Sequence, residues 1–146
     1  MGTSPLTRCP HPLQVLLALS VSRLRACGLS GSKVLSLQDL ARHFAAGLVD
    51  PAAWTAMEDE AVIADLVRIR GIGRWSAEMF LIFHLLRPDV LPLADAGLRR
   101  ALAQADPALA GADVAAMRQR AEIWRPWRSV ATWLLWRSLD PVSVEY

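Results

Sequence analysis

Several features that would define a function class are scarce or missing in this sequence of 146 residues. Its two cysteines, Cys9 and Cys27, are too few for a disulfide framework or a cysteine metal cluster. No apolar run approaches the roughly 20 residues that a membrane-spanning helix needs. No convincing stretch alternates apolar and polar residues as an amphipathic strand does. These absences predict a helical, intracellular (cytoplasmic) protein with no membrane partner.

Lysine is also almost absent, because the basic residues are fifteen arginines and the single lysine Lys33. The net charge is only +2, so no strong positive field indicates a polyanionic partner. The planar guanidinium group suits phosphates and rings, but GC-rich coding produces the same bias. The arginines are therefore compatible with a nucleic-acid partner without establishing one.

Apolar residues recur with helical spacing, and glycine, proline and capping residues separate the repeats. A content of 53% apolar residues is typical of a globular domain. The sequence therefore predicts a compact, all-α, multi-helix domain without internal repeats. The predicted helices cover about 13–26, 31–46, 59–69, 74–86, 95–103, 113–123 and 126–139, with a short helical turn at 51–57. A stripe predicted to pack in the core contains Trp124, Trp127, Trp133 and Trp136.

Gly71-Ile72-Gly73 joins two of the predicted helices. Glycines permit positive φ and close backbone approach, and the amides that start the next helix suit a phosphate. Arg70 and Arg74 beside them would add charge-assisted contacts. For two glycines alone, a helix corner with solvated arginines is the simpler explanation, whereas a dinucleotide site is excluded because no strand precedes them. The wider pattern, with apolar or small residues at Leu66, Ile69 and Ala77, is more specific and indicates a helix-hairpin-helix motif.

The segment from Ile69 to Phe80 resembles the hairpin of the helix-hairpin-helix DNA glycosylase superfamily, in particular its 3-methyladenine DNA glycosylase II branch. The similarity continues through 87–92, 95–100, 124–129 and 135–139, and spans about residues 24–146 in all. The resemblance implies a DNA glycosylase domain over residues 28–146. Residues 1–27 then form a poorly matched segment with one apolar helix.

The resemblance implies that Asp95 is the catalytic carboxylate of a monofunctional N-glycosylase acting on alkylated purines in base excision repair. From the residues alone, Asp95 is a helix N-cap, and one carboxylate can fill both roles. In such an enzyme the damaged base is flipped out of the duplex into a pocket. A fixed carboxylate then stabilises the positive charge on the sugar and orients the attacking water.

Trp75 is the predicted aromatic wall of the base pocket, because an electron-rich ring attracts a cationic base such as 3-methyladenine. Strand-cleaving relatives carry a lysine at this position, so the resemblance implies no lyase activity. Met79 and Trp136 are further pocket candidates, although core packing is the simpler interpretation of Met79. The residues expected to bind the DNA backbone are Arg70, Gly71, Ile72, Gly73, Arg74 and Ser76.

We expect no metal or redox cofactor, because His11 and His43 lack partners at metal spacing and the four-cysteine iron–sulfur loop of some relatives is missing. The resemblance allows a monovalent cation on the hairpin carbonyls. The expected partner is double-stranded DNA with alkylated bases, bound by a monomer. The family's Gln-Gln-x-Ser pattern and its amino-terminal sheet domain have no counterpart, so the alternative is a truncated DNA-binding module with little or no activity. A helical protein-interaction domain is a third possibility.

Overall fold

The computed structural model describes residues 12–140, which contain eight α-helices and no strand. The helices are α1 (Pro12–Ala18), α2 (Val21–Ala26), α3 (Gly31–Ala45), α4 (Asp59–Val67), α5 (Arg74–Phe83), α6 (Ala96–Ala105), α7 (Val114–Arg120) and α8 (Arg128–Arg137). Short 3-10 turns lie at Ala53–Thr55, Pro107–Leu109 and Ala121–Trp124. None of the helices in the described range has the length and apolar character to cross a bilayer. The all-α prediction is confirmed.

The chain divides into two compact units between Ile72 and Gly73. In the first unit, the prediction of one helix over 13–26 is wrong. The Ser20 hydroxyl accepts a hydrogen bond from the Arg23 amide at 3.3 Å and caps a new helix, α2. Ser30 caps α3 in the same way, as predicted. The buried core of this unit includes Leu24, Val34, Ala41, Val49, Trp54, Val62, Ile63, Leu66 and Ile69.

The second unit is built on α5 to α8, with α6 packed against α8. Trp124 and Trp136 pack on its core as predicted, but the prediction is wrong for Trp127 and Trp133, which are 60% and 47% exposed. Helix α8 begins at Arg128 rather than at Pro126, so Trp127 precedes it and the predicted stripe is not continuous. The core of this unit includes Leu91, Leu93, Leu98, Leu102, Leu109, Met117 and Ala121.

A buried arginine at the start of α8 forms hydrogen bonds with the loop that follows α5. Arg128 is 8% exposed and donates to both Asp89 carboxylate oxygens, at 2.7 and 2.9 Å, and to Glu122 at 3.2 Å. Burial raises the pKa of Asp89, but the hydrogen bonds from Arg128 and the positive charges of Arg128 and Arg125 lower it by more. The pKa therefore lies below its ordinary value of 3.8. The ionised carboxylate consequently stabilises the fold.

Asp89→Asn should lower the free energy of unfolding at pH 7 by about 2 kcal/mol, because it removes charge-assisted hydrogen bonds from a buried guanidinium. A depressed pKa gives stability that is present above the unfolded pKa and lost as the pH falls through the folded one. The difference from wild type should therefore shrink below about pH 4. Urea unfolding of both proteins at pH 7 and pH 3.5 measures this difference in the free energy of unfolding. Asp140→Asn, which breaks an exposed pair with Arg137, is the control and should cost under about 0.5 kcal/mol. Equal losses in both variants would contradict the prediction.

Candidate functional site

The Asp95 carboxylate lies at the start of α6 and accepts hydrogen bonds from backbone amides and from two indole groups. Its Oδ1 accepts from the Leu98 amide at 2.6 Å, which is the predicted N-cap. The indole Nε1 of Trp136 donates to the same oxygen at 3.1 Å. The indole Nε1 of Trp75 donates to Oδ2 at 2.9 Å. The structure thus brings together three of the residues singled out in the sequence, from α5, α6 and α8.

These hydrogen bonds determine the charge of the site. Burial raises the pKa of the Asp95 carboxyl. The hydrogen bonds from the Leu98 amide, the indoles of Trp136 and Trp75, and the Gly97 amide lower it by more in total. The pKa consequently lies below 3.8, the ordinary value. Asp95 is therefore an anion at neutral pH, fixed in one orientation by donors from three helices.

The aromatic side chains around Asp95 differ in exposure. Trp75 is 44% exposed, so part of its ring remains open to a ligand while its N–H is engaged. Trp136 is half-buried, and the ring of Phe83 stacks on it with centroids 6.1 Å apart and planes at 16°. Met79 is half-buried one turn beyond Trp75 on α5. Phe83 was not among the predicted site residues, because it belongs to no motif. Its aromatic character was the one signal available in the sequence.

Gly97 is a second residue that the sequence analysis missed. A Cβ at this position would stand 3.0 Å from Asp95 Oδ1 and 3.8 Å from the Trp136 ring. A Cβ here would contact the indole at an ordinary distance, but the Asp95 carboxylate would have to move by a few tenths of an ångström. The available signal was a glycine in the first turn of a helix, where glycine is otherwise unfavourable.

Gly97→Ala should slow any reaction that depends on Asp95 by about 10-fold, because a shift of a few tenths of an ångström misplaces the carboxylate. Helical stability should be unchanged or higher by up to about 1 kcal/mol, since alanine favours the helix. Single-turnover kinetics and urea unfolding measure the two effects. Gly31→Ala is the matched control, because a Cβ at this first residue of α3 meets nothing within 4 Å. Unchanged kinetics in Gly97→Ala would contradict the positioning role.

The first half of the hairpin belongs to the first unit and is braced by α3. The Arg70 amide donates to Asp39 Oδ2 at 2.8 Å. Gly71 has φ +85°, and a Cβ there would collide with the Ser36 hydroxyl. Ile72 is half-buried, and its amide donates to the Ile69 carbonyl at 3.1 Å. Glycine is therefore required at 71 both by the backbone and by the space available.

The second half of the hairpin belongs to the second unit and starts α5. Gly73 is the N-cap residue, with φ −92°, and it contributes no side chain to the first-turn amides. A Cβ on Gly73 would meet nothing within 4 Å, so the protein fold itself does not require glycine there. Arg74 pairs with Glu78 at 2.9 Å, and Ser76 is half-buried. The start of α5 is thus open to an anion.

The histidines and cysteines do not converge in the part of the chain that the structure describes. No group of three His, Cys, Asp or Glu side chains in residues 12–140 is arranged to hold a metal ion. His43 Nδ1 lies 2.9 Å from the Asp39 carbonyl, and Cys27 is an exposed thiol. His11 and Cys9 lie outside the described residues. The monovalent cation on the hairpin carbonyls stays a prediction.

The curated proteins that this sequence resembles include DNA-3-methyladenine glycosylases. The DNA-3-methyladenine glycosylase 1 of Schizosaccharomyces pombe is 36% identical over 117 residues, covering 79% of this chain and 51% of that protein. Bacillus subtilis YfjP, named as a candidate DNA-3-methyladenine glycosylase, is 34% identical over 90% of this chain and 45% of its own length. The chain therefore spans about half the length of these curated relatives.

Solved structures share the fold. The Schizosaccharomyces pombe 3-methyladenine DNA glycosylase Mag1, in complex with abasic DNA, matches with TM-score 0.72 and 31% identity over 86% of this chain and 62% of that one. A DNA-3-methyladenine glycosidase of Bacillus halodurans matches with TM-score 0.77 and 31% identity over 92% of this chain and 62% of that one. The family model described as HhH-GPD superfamily base excision DNA repair protein matches residues 7–126. The chain belongs to the HhH-GPD superfamily of base excision DNA repair proteins.

Proposed function

We propose that this chain is a monofunctional DNA glycosylase that releases alkylated purines of the 3-methyladenine type from double-stranded DNA. The observation that carries the proposal is the Asp95 carboxylate, which the hydrogen bonds from the Leu98 amide and from the indoles of Trp136 and Trp75 keep ionised at the start of α6. The names of its relatives give the same reaction class. A fixed anion beside an exposed aromatic ring suits a reaction in which both the base and the sugar are cationic.

In the proposed reaction the damaged nucleotide is flipped out of the duplex. The positively charged purine lies against the ring of Trp75, which is attractive because the ring face is electron-rich. The bond between C1′ and the base nitrogen breaks, its electron pair neutralises the base, and positive charge develops on the sugar. The Asp95 carboxylate stabilises that charge. Water then adds at C1′ and releases one proton, leaving a free base and an abasic site.

The low pKa of Asp95 restricts the role of this residue. A carboxylate that resists protonation is a weak proton acceptor at neutral pH. It is therefore better suited to stabilise the cationic sugar and to orient the water by hydrogen bonding than to remove the proton early. A methylated purine cation is a good leaving group, so no separate general acid is needed to protonate it.

The residues at the site also suit base release without strand cleavage. Strand cleavage by a bifunctional glycosylase starts from a Schiff base between the sugar and a lysine amine. Trp75 stands where such relatives carry the lysine, and an indole cannot form this bond. The sole lysine of the sequence, Lys33, lies on α3 in the first unit. The product we propose is an uncut strand with an abasic site.

The hairpin supplies the proposed contact with the DNA backbone. Gly73 opens the start of α5, where backbone amides and the helix dipole favour a phosphate. Arg70, three residues before Gly73 in the sequence, has an exposed side chain. Such contacts position the enzyme without reading base sequence. We propose that the chain acts on DNA as a monomer inside the cell, with no cofactor beyond a monovalent cation on the hairpin carbonyls.

A panel of duplexes tests this function. Each duplex carries one 3-methyladenine, 7-methylguanine, hypoxanthine, uracil or 8-oxoguanine, and protein is in excess so that single-turnover release is measured. We expect release of the cationic methylated purines, with strands that break only after alkali treatment. Release of uracil or 8-oxoguanine in their place would overturn the substrate class. Cleavage without alkali would overturn the monofunctional assignment.

The alternative function is a DNA-binding module that does not excise bases. Salt-sensitive binding to every duplex without release of any base would support this alternative, because phosphate contacts displace counterions whether or not chemistry follows. Salt-insensitive or absent binding would overturn both DNA functions and leave a helical protein-interaction domain.

A further inference from the structure

A cleft of about 360 Å³ in the second unit is lined by three arginines, two of which, Arg99 and Arg118, have no role in the proposed function. Arg74 on α5, Arg99 on α6 and Arg118 on α7 line it, so three different helices contribute one guanidinium each. The rest of the lining is the buried acid Glu78 and the apolar residues Leu91, Leu93, Ala94 and Val114. A basic cleft with an apolar floor is therefore present beside the core of this unit.

Two of the three arginines in the cleft have no carboxylate partner among the described residues. Arg74 pairs with Glu78 at 2.9 Å, and Glu78 is 5% exposed. Arg99 and Arg118 are exposed, and no carboxylate of residues 12–140 forms an ion pair with either of them. Most other arginines of the second unit do have such partners: Arg120 pairs with Asp106, Arg125 with Glu122, and Arg137 with Asp140. The cleft consequently keeps two uncompensated positive charges and suits an anion.

The cleft also lies next to the carboxylate site. Ala94, which lines it, directly precedes Asp95, and Arg99 lies one helical turn after Asp95 on α6. Arg74 directly precedes Trp75, whose indole is bonded to Asp95. Two of the three arginines therefore lie within one helical turn, along the chain, of the residues that form the carboxylate site. Guanidinium groups form paired, charge-assisted hydrogen bonds with phosphate oxygens.

We propose that this cleft binds a backbone phosphate of the DNA strand that carries the damaged base. The proposal rests on the proposed function, because it places the phosphate beside the nucleotide that Asp95 acts on. Phosphate binding in this cleft would add a second backbone contact to the proposed phosphate contact at the start of α5. It would hold the sugar–phosphate backbone on both sides of the flipped nucleotide.

Arg99→Gln, Arg118→Gln and the double variant test the proposal, with Arg100→Gln as the matched control. Arg100 is the next residue on α6, is exposed and does not line the cleft. Loss of one phosphate contact should lower DNA affinity by about 10-fold at low salt and reduce the slope of log K against log salt by about 0.9. Arg100→Gln should change the slope by much less. Equal slopes for wild type, Arg99→Gln and Arg118→Gln would overturn the proposal.

Neutral methylphosphonate linkages locate the contact. Each phosphate within three nucleotides of a 7-methylguanine is replaced in turn, and affinity is measured for wild type, Arg118→Gln and Arg100→Gln. We expect one position at which the replacement weakens the wild type but has little further effect on Arg118→Gln. Additive losses at every position would overturn the proposal, because no single phosphate would then share the contact.

Two controls separate this proposal from the proposed function and from a free anion. Base release by wild type with unchanged salt slopes in the arginine variants overturns the cleft site and leaves the glycosylase intact. Absence of both release and DNA binding overturns both. Titration with inorganic phosphate identifies the ligand source. Millimolar or weaker binding supports a DNA phosphate, and micromolar binding that does not compete with DNA indicates a free anion and overturns the assignment.

Discussion

Replacing Asp95 with asparagine is expected to slow base release by roughly 10²–10⁴-fold while leaving the fold and DNA binding unchanged. The loss is large because the substitution removes the negative charge that faces the cationic sugar in the transition state. Binding is retained because the proposed phosphate contacts lie at the start of α5 and on arginines, not on this carboxylate. Single-turnover release and equilibrium binding on the same methylated duplex measure the two effects.

Asparagine is the informative replacement because it keeps most of the local structure. It is as good an N-cap as aspartate, so its carbonyl oxygen can still accept from the Leu98 amide and the Trp136 indole. Its amide group would face the Trp75 N–H, donor against donor, and the half-exposed Trp75 can turn that N–H to water. The remaining change is the loss of charge.

Asp113→Asn is the matched control for Asp95→Asn. Asp113 caps α7 by accepting from the Ala116 amide at 2.8 Å, so it has the same structural role on another helix of the same unit. Its substitution should leave the release rate within about twofold of wild type, since only the cap is changed. Equal rates for Asp95→Asn and wild type, or equal losses in both variants, would exclude Asp95 as the catalytic carboxylate.

The two hairpin glycines should respond differently to alanine. Gly71→Ala is expected to lower the free energy of unfolding by about 3 kcal/mol. A positive φ costs an alanine about 1–2 kcal/mol, and the collision with Ser36 adds an overpacking term of about 1–3 kcal/mol. Gly73→Ala should unfold like wild type, because its φ is −92° and its Cβ would enter open space. Urea unfolding of both variants measures this difference.

DNA affinity should respond in the opposite way, with the direct loss in Gly73→Ala rather than in Gly71→Ala. Gly73→Ala places a methyl group where the proposed phosphate approaches α5, so affinity should fall about 10-fold or more in a folded protein. Any loss in Gly71→Ala should instead follow its loss of stability. Ser36→Gly in the Gly71→Ala background should recover part of the stability by removing the collision. Full DNA affinity in Gly73→Ala would show that the phosphate does not approach this helix start.

Local features of the fold could be predicted from the sequence because they depend on neighbouring residues. The Ser30 and Asp95 caps and the two helices around Gly71 follow from capping and periodicity. The break at Ser20 was missed because apolar residues continue on both sides of it and conceal the cap. The exposure of Trp127 was missed because Pro126 was placed inside the last helix, whereas that helix starts at Arg128.

Contacts between distant residues could not be predicted from one sequence. Asp39 accepts from the Arg70 amide across 31 positions of the chain, and no local pattern indicates this hydrogen bond. The indole bonds to Asp95 depend on α5 and α8 reaching the same helix start, which only the packed structure establishes. Trp75 and Trp136 were identified by resemblance as pocket residues. Their hydrogen bonds to the carboxylate came from the structure.

The pH dependence of base release is the most direct test of catalysis by an ionised Asp95. A duplex with one 7-methylguanine is suitable because methylation itself supplies the positive charge of the base. Single-turnover rates are measured from pH 6.5 down to 4.5, with the rate for DNA alone subtracted and folding checked at each pH. The depressed pKa of Asp95 predicts a rate constant that stays level over this range, since the carboxylate remains ionised throughout. A rate that falls with a midpoint near pH 6 would instead assign the reaction to a histidine or to a carboxyl group with a raised pKa, and would contradict catalysis by this carboxylate.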